Sequence, residues 1–310
     1  MNFKSNSTWI ILACALVASL WFSEAQAAKG SFEQSLAVDE AITLDVSTGS
    51  GSITVQSGAS GRVEIVGHIK VGSGLFRRSD ESAREIVERI EANPPVELSG
   101  GTLRVGHLRG REFRNVSISF EIVVPADTRV ISDTGSGSMK ISGVAEILRA
   151  DSGSGSVKLN DISGPVNADT GSGSIRAEGV AGAFHGDTGS GSIYLMQTAP
   201  GDVRVSTGSG SIELDNIEGA LHARAGSGRV RANGRQVGTW DIDTGSGSVK
   251  LDLPDDAAFQ LDAESGSGGI TVDHPVTVQG KIKKRHLRGE VRGGGDLLKI
   301  DTGSGGITVN

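Results

Sequence analysis

The chain has 310 residues, a length that suits one large domain or two ordinary ones. Its 46 glycines are about twice the usual share, and aromatic residues make up only 4%, which excludes a core built from large rings. The formal net charge of −7 argues against general nucleic-acid binding, and a lone cysteine, Cys14, excludes an intrachain disulfide.

The first 27 residues have the pattern of a signal peptide. Lys4 precedes an apolar stretch over 9–22, and residues 25–27, Ala-Gln-Ala, offer a small-x-small cleavage site. The apolar stretch is too short for a comfortable membrane span, so no transmembrane segment is expected in the mature chain. A lipoprotein cleaved before Cys14 is the alternative, but it would leave the apolar 15–22 exposed. We therefore expect an exported protein, in the periplasm or at the cell surface.

Residues 28–130 precede the regular repeats and are expected to cap them. Ser82 and Glu85 suit a capping box, and Pro94-Pro95 suits a stop, which together predict one helix over 79–92. A solenoid needs an atypical end that protects its first coil from edge pairing. Alternating apolar residues predict strands over 42–55, 62–71, 103–105 and 116–124.

The tripeptide Gly-Ser-Gly recurs through the rest of the chain. Its copies follow one another at intervals of 18, 18, 18, 19, 18, 19, 21 and 37 residues. The last interval is close to two periods, which predicts a degenerate repeat there. Such regular spacing is typical of a repeat protein and not of a flexible linker. After an early copy at Gly49, the copies begin at Gly135, Gly153, Gly171, Gly189, Gly208, Gly226, Gly245, Gly266 and Gly303.

Apolar residues keep a constant distance from each Gly-Ser-Gly. Val157 and Leu159 lie four and six residues after Gly153, and Leu148 and Ala150 lie five and three residues before it. Residues two apart share one face of a strand, so each repeat predicts two short strands that meet at a Gly-Ser-Gly corner. One such coil cannot bury its apolar face, whereas stacked coils can.

The fold class predicted from this pattern is all-β: a single-domain β-solenoid of about 18-residue coils. A right-handed arrangement with two strands per coil is preferred. A left-handed helix with three six-residue sides is the alternative, although the regular hexapeptide pattern of aliphatic residues is missing. The expected organisation is a signal peptide over 1–27, an N-terminal β cap with one short helix over 28–130, and repetitive coils over 131–310.

Three segments together resemble a known family. They are the helix sequence SDESAREIVERI at 79–90, the strand VSISFEIVVPAD at 116–127, and the repeats of the Asp-Thr-Gly-Ser-Gly-Ser-Ile kind that close with DTGSGGITV at 301–309. The chain is similar in these segments to the bacterial DUF4097 family, also called the putative-adhesin family. The resemblance implies a β-solenoid in the bacterial envelope. It supplies no activity and no functional residues.

An Asp column stands two residues before most corners. Stacked carboxylates suit either Ca²⁺ binding, as in nonapeptide β-helices, or a structural role in which each Asp accepts hydrogen bonds from turn N–H groups two residues on. The calcium-binding turns of nonapeptide β-helices need an Asp after the Gly-x-Gly, but in this chain Ser and an aliphatic residue follow it. Ser206 and Arg224 also interrupt the Asp column. The structural role is preferred. Its residues are Asp133, Gly135, Gly137, Asp151, Gly153, Gly155, Asp169, Gly171, Gly173, Asp187, Gly189 and Gly191.

Basic residues form a second column and one dense run. The column is either a ladder that meets a polyanion or a solvated face that pairs with the Asp row across the corner; the solvated face is preferred. Its members are Lys140, Lys158, Arg176, Arg231 and Lys250. The run falls in the 37-residue interval and predicts a loop or hairpin that leaves the stack. It offers a polyanion or partner contact through Lys281, Lys283, Lys284, Arg285, Arg288 and Arg292.

Nothing in the sequence announces an enzyme, and no cofactor or metal site is expected. The six histidines show no metal-ligand spacing, and no serine occupies a Gly-x-Ser-x-Gly elbow. The leading hypothesis is a non-catalytic envelope or surface protein whose partner is an envelope glycan or another envelope protein. A polysaccharide-acting β-helix enzyme that uses an Asp pair is one alternative. A structural component of an envelope-stress system is another.

Overall fold

The computed structural model describes residues 28–38, 41–72, 80–279 and 283–310. The predicted signal peptide and Lys281 lie outside the described residues. Within those ranges no helix combines the length and the hydropathy needed to cross a bilayer.

Nearly all of the described chain is β-structure, with one α-helix, α1 Asp80–Ala92, and a 3₁₀ turn, Arg111–Phe113. The helix matches the predicted span, and the predicted strand over 42–55 is two strands on either side of the Gly49 corner. In chain order the strands are β1 Ala28–Ala37, β2 Thr43–Thr48, β3 Ile53–Ser57, β4 Arg62–Val71, β5 Val96–Ser99, β6 Thr102–Val105, β7 Val116–Val124, β8 Arg129–Thr134, β9 Met139–Ser142, β10 Leu148–Ser152, β11 Val157–Ile162, β12 Val166–Thr170, β13 Ile175–Ala181, β14 Phe184–Thr188, β15 Ile193–Ala199, β16 Val203–Thr207, β17 Ile212–Ala225, β18 Val230–Thr244, β19 Val249–Asp252, β20 Phe259–Ser265, β21 Ile270–Val272, β22 Val276–Thr277, β23 His286–Val291, β24 Asp296–Thr302 and β25 Ile307–Val309.

Each repeat forms a coil of two strands, as predicted, and the coils stack in parallel register. Val166 and Ala168 of β12 point inward and lie beside their equivalents in β10 and β14. After the corner, Ile175 and Ala177 of β13 also point inward and lie beside their equivalents in β11 and β15. Because side chains alternate along a strand, the residues between these positions face outward. The hand of the coil stays a prediction.

The two strands of a coil lie in two different sheets, which enclose the core between them. Each coil has a second turn, the return turn, which leads from the end of one coil to the start of the next. β17 and β18 continue through this turn and belong to both sheets. Sheet 1 has the strand order β5, β6, β2, β8, β10, β12, β14, β16, β17, β18, β24, β20, β23, β22. Sheet 2 has the order β1, β4, β7, β3, β9, β11, β13, β15, β17, β18, β19, β25, β21.

The stack departs from chain order at both ends. Near the N-terminal end, the coil β2/β3 lies between β6/β7 and β8/β9. At the other end, β24/β25, the last coil in sequence, lies between β18/β19 and β20/β21. The prediction of a degenerate repeat in the 37-residue interval is therefore wrong. That interval contains β23, which runs antiparallel beside β20, and β22, which runs antiparallel beside β23; the two strands cap the stack before the chain returns to insert its last coil.

The N-terminal end is capped by antiparallel strands and the helix. β4 pairs with β7, and β1 pairs with β4 as the outermost strand of sheet 2. Helix α1 packs on β1 through its buried stripe of Ile86, Val87 and Ile90. The Ser31 N–H donates a hydrogen bond to Glu91 Oε1 at 2.9 Å. Covering an outer strand in this way blocks edge pairing with another chain.

Candidate functional site

The Gly-Ser-Gly corner is held by the Thr or Ser that precedes it. Thr170 Oγ1 donates to Gly155 O of the preceding coil at 2.9 Å and accepts from Gly173 N–H at 3.2 Å. Thr188 makes the same pair of bonds one coil later. The predicted hydrogen-bonding role of the aspartates is therefore wrong, because Asp169 precedes Thr170 and alternation along β12 turns it outward.

The corner glycines are required by the close approach of stacked backbones. A Cβ on Gly155 would lie 1.7 Å from Gly137 O, and one on Gly173 would lie 2.0 Å from Gly155 O. These corner glycines do not have positive φ. The left-handed glycines of the repeats lie in the return turns instead, among them Gly143, at φ 73°, and Gly179, at φ 76°.

The aspartates form a ladder on the outer face of sheet 1, which we call the Asp ladder: Asp133, Asp151, Asp169 and Asp187. These four residues pair in parallel register, so successive Cα atoms lie about 4.8 Å apart. Burial, and then the charge of Asp151, raises the pKa of Asp133 and of Asp169 above the ordinary value. A shallow groove of about 410 Å³ runs over the ladder. The described residues contain no cluster of three or more side chains suited to hold a metal ion.

The basic column lies on the outer face of sheet 2. Its core, the basic ladder, is Lys140, Lys158 and Arg176, in parallel register on β9, β11 and β13. Because the Asp ladder belongs to the other sheet, the predicted pairing across the corner is wrong. The ion pairs made by these two columns run along single strands instead, for example from Arg149 Nε to Asp151 Oδ2 at 2.7 Å.

The basic ladder is only partly neutralised. Arg176 pairs with Glu178 and lies over the ring of Tyr194, with 4.3 Å from Cζ to the ring centroid. Lys140 and Lys158 are exposed, and no carboxylate of the described residues lies within 4.0 Å of either ammonium group. Farther along, Glu213 interrupts the column between Tyr194 and Arg231, and Lys250 pairs with Asp252 at 3.5 Å.

The basic run predicted as a contact region caps the far end of the stack. Arg285 Nη1 donates to Gly266 O at 2.8 Å, Arg288 pairs with Asp262, and Arg292 donates to Asp255 O. Lys283 and Lys284 stay exposed on the turn before β23. The predicted hairpin does not leave the stack, because β23 is hydrogen-bonded to β20.

Two copies of His-Leu-Arg-Gly make the same contact near opposite ends of sheet 1. His107 Nε2 lies 3.1 Å from Asp45 Oδ1, and His286 Nε2 lies 2.9 Å from Asp262 Oδ1. Each of these aspartates also faces an arginine. Burial alone would raise the pKa of Asp262, but hydrogen bonds from Arg288 and His286 outweigh it and hold the pKa below its ordinary value. These histidines fasten the capping segments to the sheet.

One further groove was not identified from the sequence, and we call it the end groove. It lies beside the first corner, has a volume of about 500 Å³, and is lined by Gly49 and Ser50 of that corner and by the segment 106–114. That segment contains Arg109, Phe113 and Arg114. The signal available in the sequence was the break in the repeat pattern between β6 and β7, which marks a departure from the stack.

Comparisons with known proteins identify the family to which this chain belongs. The family model described as Toastrack DUF4097 matches residues 97–310, more than two thirds of the chain. A putative cell adhesion protein from Clostridium sporogenes is 13% identical, over 90% of this chain and 99% of its own, with a TM-score of 0.22. A putative adhesin from Bacteroides fragilis is 12% identical, over 92% and 99%, with a TM-score of 0.38. Neither likeness carries an argument about function, and no curated protein matches the chain. The family match, together with the corners and columns described above, shows that this chain belongs to the Toastrack DUF4097 family.

Proposed function

We propose that the protein is exported and non-catalytic, and that it binds an acidic glycan of the bacterial envelope along the basic ladder. The observation that carries this proposal is the pair Lys140 and Lys158, which are exposed, adjacent in register, and without a carboxylate partner in the described chain. Like charges held side by side in this way repel one another. A polyanion that lies across them relieves the repulsion and releases counterions.

The shape of sheet 2 suits an extended partner. The three strands of the basic ladder present one basic residue each at intervals of about 4.8 Å, so a chain of regularly spaced anions meets several cations at once. Each exposed pair contributes at most about 1 kcal/mol, and several weak contacts on one ligand add through their effective concentration. Next in the same column, Tyr194 lies under the Arg176 guanidinium and adds an aromatic surface to the basic ladder.

The experiment compares two double charge reversals of the mature protein. Lys140→Glu/Lys158→Glu removes the unpaired part of the basic ladder. Lys29→Glu/Lys70→Glu is the matched control, because these two exposed lysines are also paired across neighbouring strands of sheet 2 but lie beyond Glu121 at its capped end. Binding to polygalacturonate and to isolated envelope glycans is measured by calorimetry at 50 and 300 mM NaCl.

The first variant should bind about tenfold more weakly at low salt, since about 1.4 kcal/mol of charge attraction is lost, while the control changes less than twofold. Binding by the parent should also weaken in high salt. Absence of salt-sensitive binding to any envelope glycan would refute the proposal. An equal loss in both variants would refute the assignment to the basic ladder.

A second contact is proposed at the C-terminal cap, through Lys283 and Lys284. These lysines are exposed, whereas Arg285, Arg288 and Arg292 of the same run are engaged in intramolecular bonds. The double variant Lys283→Glu/Lys284→Glu should lower glycan affinity without lowering the melting temperature. The same reversal at Arg288 should lower the melting temperature, because it breaks the pair with Asp262.

The raised pKa of Asp133 and of Asp169 is the observation that favours an enzyme that acts on polysaccharides. Against it, the carboxylates repeat with the coils and lie on an open face. Sugar release from an envelope polysaccharide that is abolished by Asp151→Asn would establish the enzyme and displace the binding proposal. If neither binding nor sugar release is found, a purely structural role in the envelope stands. Export is tested separately by N-terminal sequencing of the mature protein, which should begin at Ala28.

A further inference from the structure

The end groove lies where the ladder of corner hydrogen bonds begins. In each coil that follows, the N–H of the first corner glycine donates to the carbonyl of the residue before the preceding corner. Gly135 N–H donates to Thr48 O at 3.2 Å, and Gly153 N–H donates to Thr134 O at 2.9 Å. Gly49 belongs to the first coil of this series. Its N–H has no hydrogen-bond partner in the described chain, because the strand that would supply one, β6, ends at Val105 and the chain leaves the stack there.

Two arginines border the same groove as this unpaired N–H. Arg109 and Arg114 line the groove on the segment that leaves the stack, and both side chains are exposed. Neither guanidinium lies within 4.0 Å of a carboxylate in the described part of the chain. The segment itself is anchored to sheet 1, because His107 bonds to Asp45. The groove therefore combines cationic side chains, carried by an anchored segment, with a backbone donor, and these together suit an anionic group.

The rest of the lining is mixed. Phe113 and Leu108 are half-buried and give the groove an apolar side. Ser47 and Asp133, neighbours in register on β2 and β8, give it a hydroxyl and a carboxylate. A carboxylate beside an anion site suits a ligand that also carries hydroxyl donors. A sugar that bears one acidic group has all three features: an anion, hydroxyls and an apolar ring face.

We propose that the end groove binds a single anionic sugar unit, either a sugar acid or a sugar phosphate. The acidic group lies against Arg109, Arg114 and the Gly49 N–H, the hydroxyls face Ser47 and Asp133, and the ring packs on Phe113. This site is separate from the basic ladder, which lies on the outer face of sheet 2. A short ligand occupies the end groove alone, so the two sites fail independently in an experiment.

The test is calorimetric titration of the mature protein with four small probes: glucuronate, glucose 1-phosphate, inorganic phosphate and glucose. Glucuronate tests a carboxylate ligand, glucose 1-phosphate tests a phosphate ligand, and glucose tests the need for a charge. The variant is Arg109→Ala/Arg114→Ala. The matched control is Arg204→Ala, an exposed arginine of β16 in the middle of sheet 1. All of the mutated side chains are exposed, so the melting temperatures should match that of the parent.

At least one anionic sugar should bind the parent at least tenfold more tightly than glucose does. The double arginine variant should bind it at least tenfold more weakly, while Arg204→Ala and Lys140→Glu/Lys158→Glu should leave it unchanged. Binding of inorganic phosphate as tight as that of glucose 1-phosphate would overturn the sugar part of the proposal. Equal binding of glucose and glucuronate, no binding of any probe, or an equal loss in the Arg204 control would overturn the site.

Discussion

Replacing Gly171 by alanine places a methyl group between two stacked corners. The new Cβ would lie 2.4 Å from Gly153 O, a backbone atom that no rotamer change can move. Ordinary contact between a carbon and an oxygen needs more than about 3.2 Å. The two corners must therefore separate locally by almost 1 Å, which stretches the bond from Gly171 N–H to Ser152 O, now 3.1 Å.

The expected loss of stability follows from three contributions. Forced overpacking costs about 1–3 kcal/mol. Weakening the stretched bond and the neighbouring bond from Thr170 Oγ1 to Gly155 O costs about 1 kcal/mol more. Alanine also lowers the conformational entropy of the unfolded chain, which stabilises the folded state by about 0.4–1 kcal/mol. The free energy of unfolding should therefore fall by about 1–4 kcal/mol.

Gly49 provides a matched control, because it holds the same position in the motif. A Cβ on Gly49 meets no atom within 4 Å, since no corner lies above the first coil. Gly49→Ala should therefore leave stability unchanged or raise it by up to about 1 kcal/mol. Urea denaturation, followed by circular dichroism at several wavelengths, measures both variants and shows whether the stack unfolds in one step.

A similar loss of stability in Gly49→Ala and Gly171→Ala would refute the reasoning, because it would mean that glycine is needed for its own conformation and not for the spacing between coils. An unchanged Gly171→Ala would refute it in another way, by showing that the corners are not in contact.

Three further outcomes are expected. Thr170→Val leaves Gly155 O and Gly173 N–H unsatisfied and should cost about 2–4 kcal/mol in urea denaturation, whereas Thr170→Ser, which keeps both bonds, should cost under about 1.5 kcal/mol. The raised pKa of Asp133 and of Asp169 means that the folded state binds protons more tightly than the unfolded state. Their contribution to stability therefore falls as pH rises through these pKa values, and Asp169→Asn should raise the free energy of unfolding at pH 7 and flatten its dependence on pH; a lower value would contradict the sign. The melting temperature should not change with EDTA, and a fall would show that the folded protein holds a metal.

The coil itself could be predicted because its information is local and repeated. Val166 and Ala168 before a corner, and Ile175 and Ala177 after it, show the two-residue period of strands, and glycine marks the place where backbones meet. The helix was predicted over 79–92 for the same reason, since its apolar stripe and proline stop lie within a few residues of one another. It begins at Asp80, so Ser82 lies inside its first turn and not at the predicted cap.

The roles of neighbouring corner residues were harder to separate. Asp169 and Thr170 both carry oxygen acceptors next to the turn, so composition favours neither. The face that β12 turns toward the core decides between them, because neighbouring side chains of a strand point to opposite faces, one into the core and the other out of it. The contacts of the basic run could likewise not be predicted from the sequence, because Arg285 and Arg288 reach Gly266 O and Asp262 only when β23 pairs with β20.

The amino-acid pattern specifies the coil, its corner and its inward face, since each of these depends on residues within about 18 positions. The order of the coils at the two ends depends on the whole folded chain. Every coil presents nearly the same pattern of backbone donors and acceptors to its neighbour, so β19 could pair as well with β21, from the next coil in sequence, as with β25, its neighbour in the stack. The capping strand β23 and the return of the chain choose between these partners, and the same departure from the stack at Gly106 leaves the Gly49 N–H free and opens the end groove.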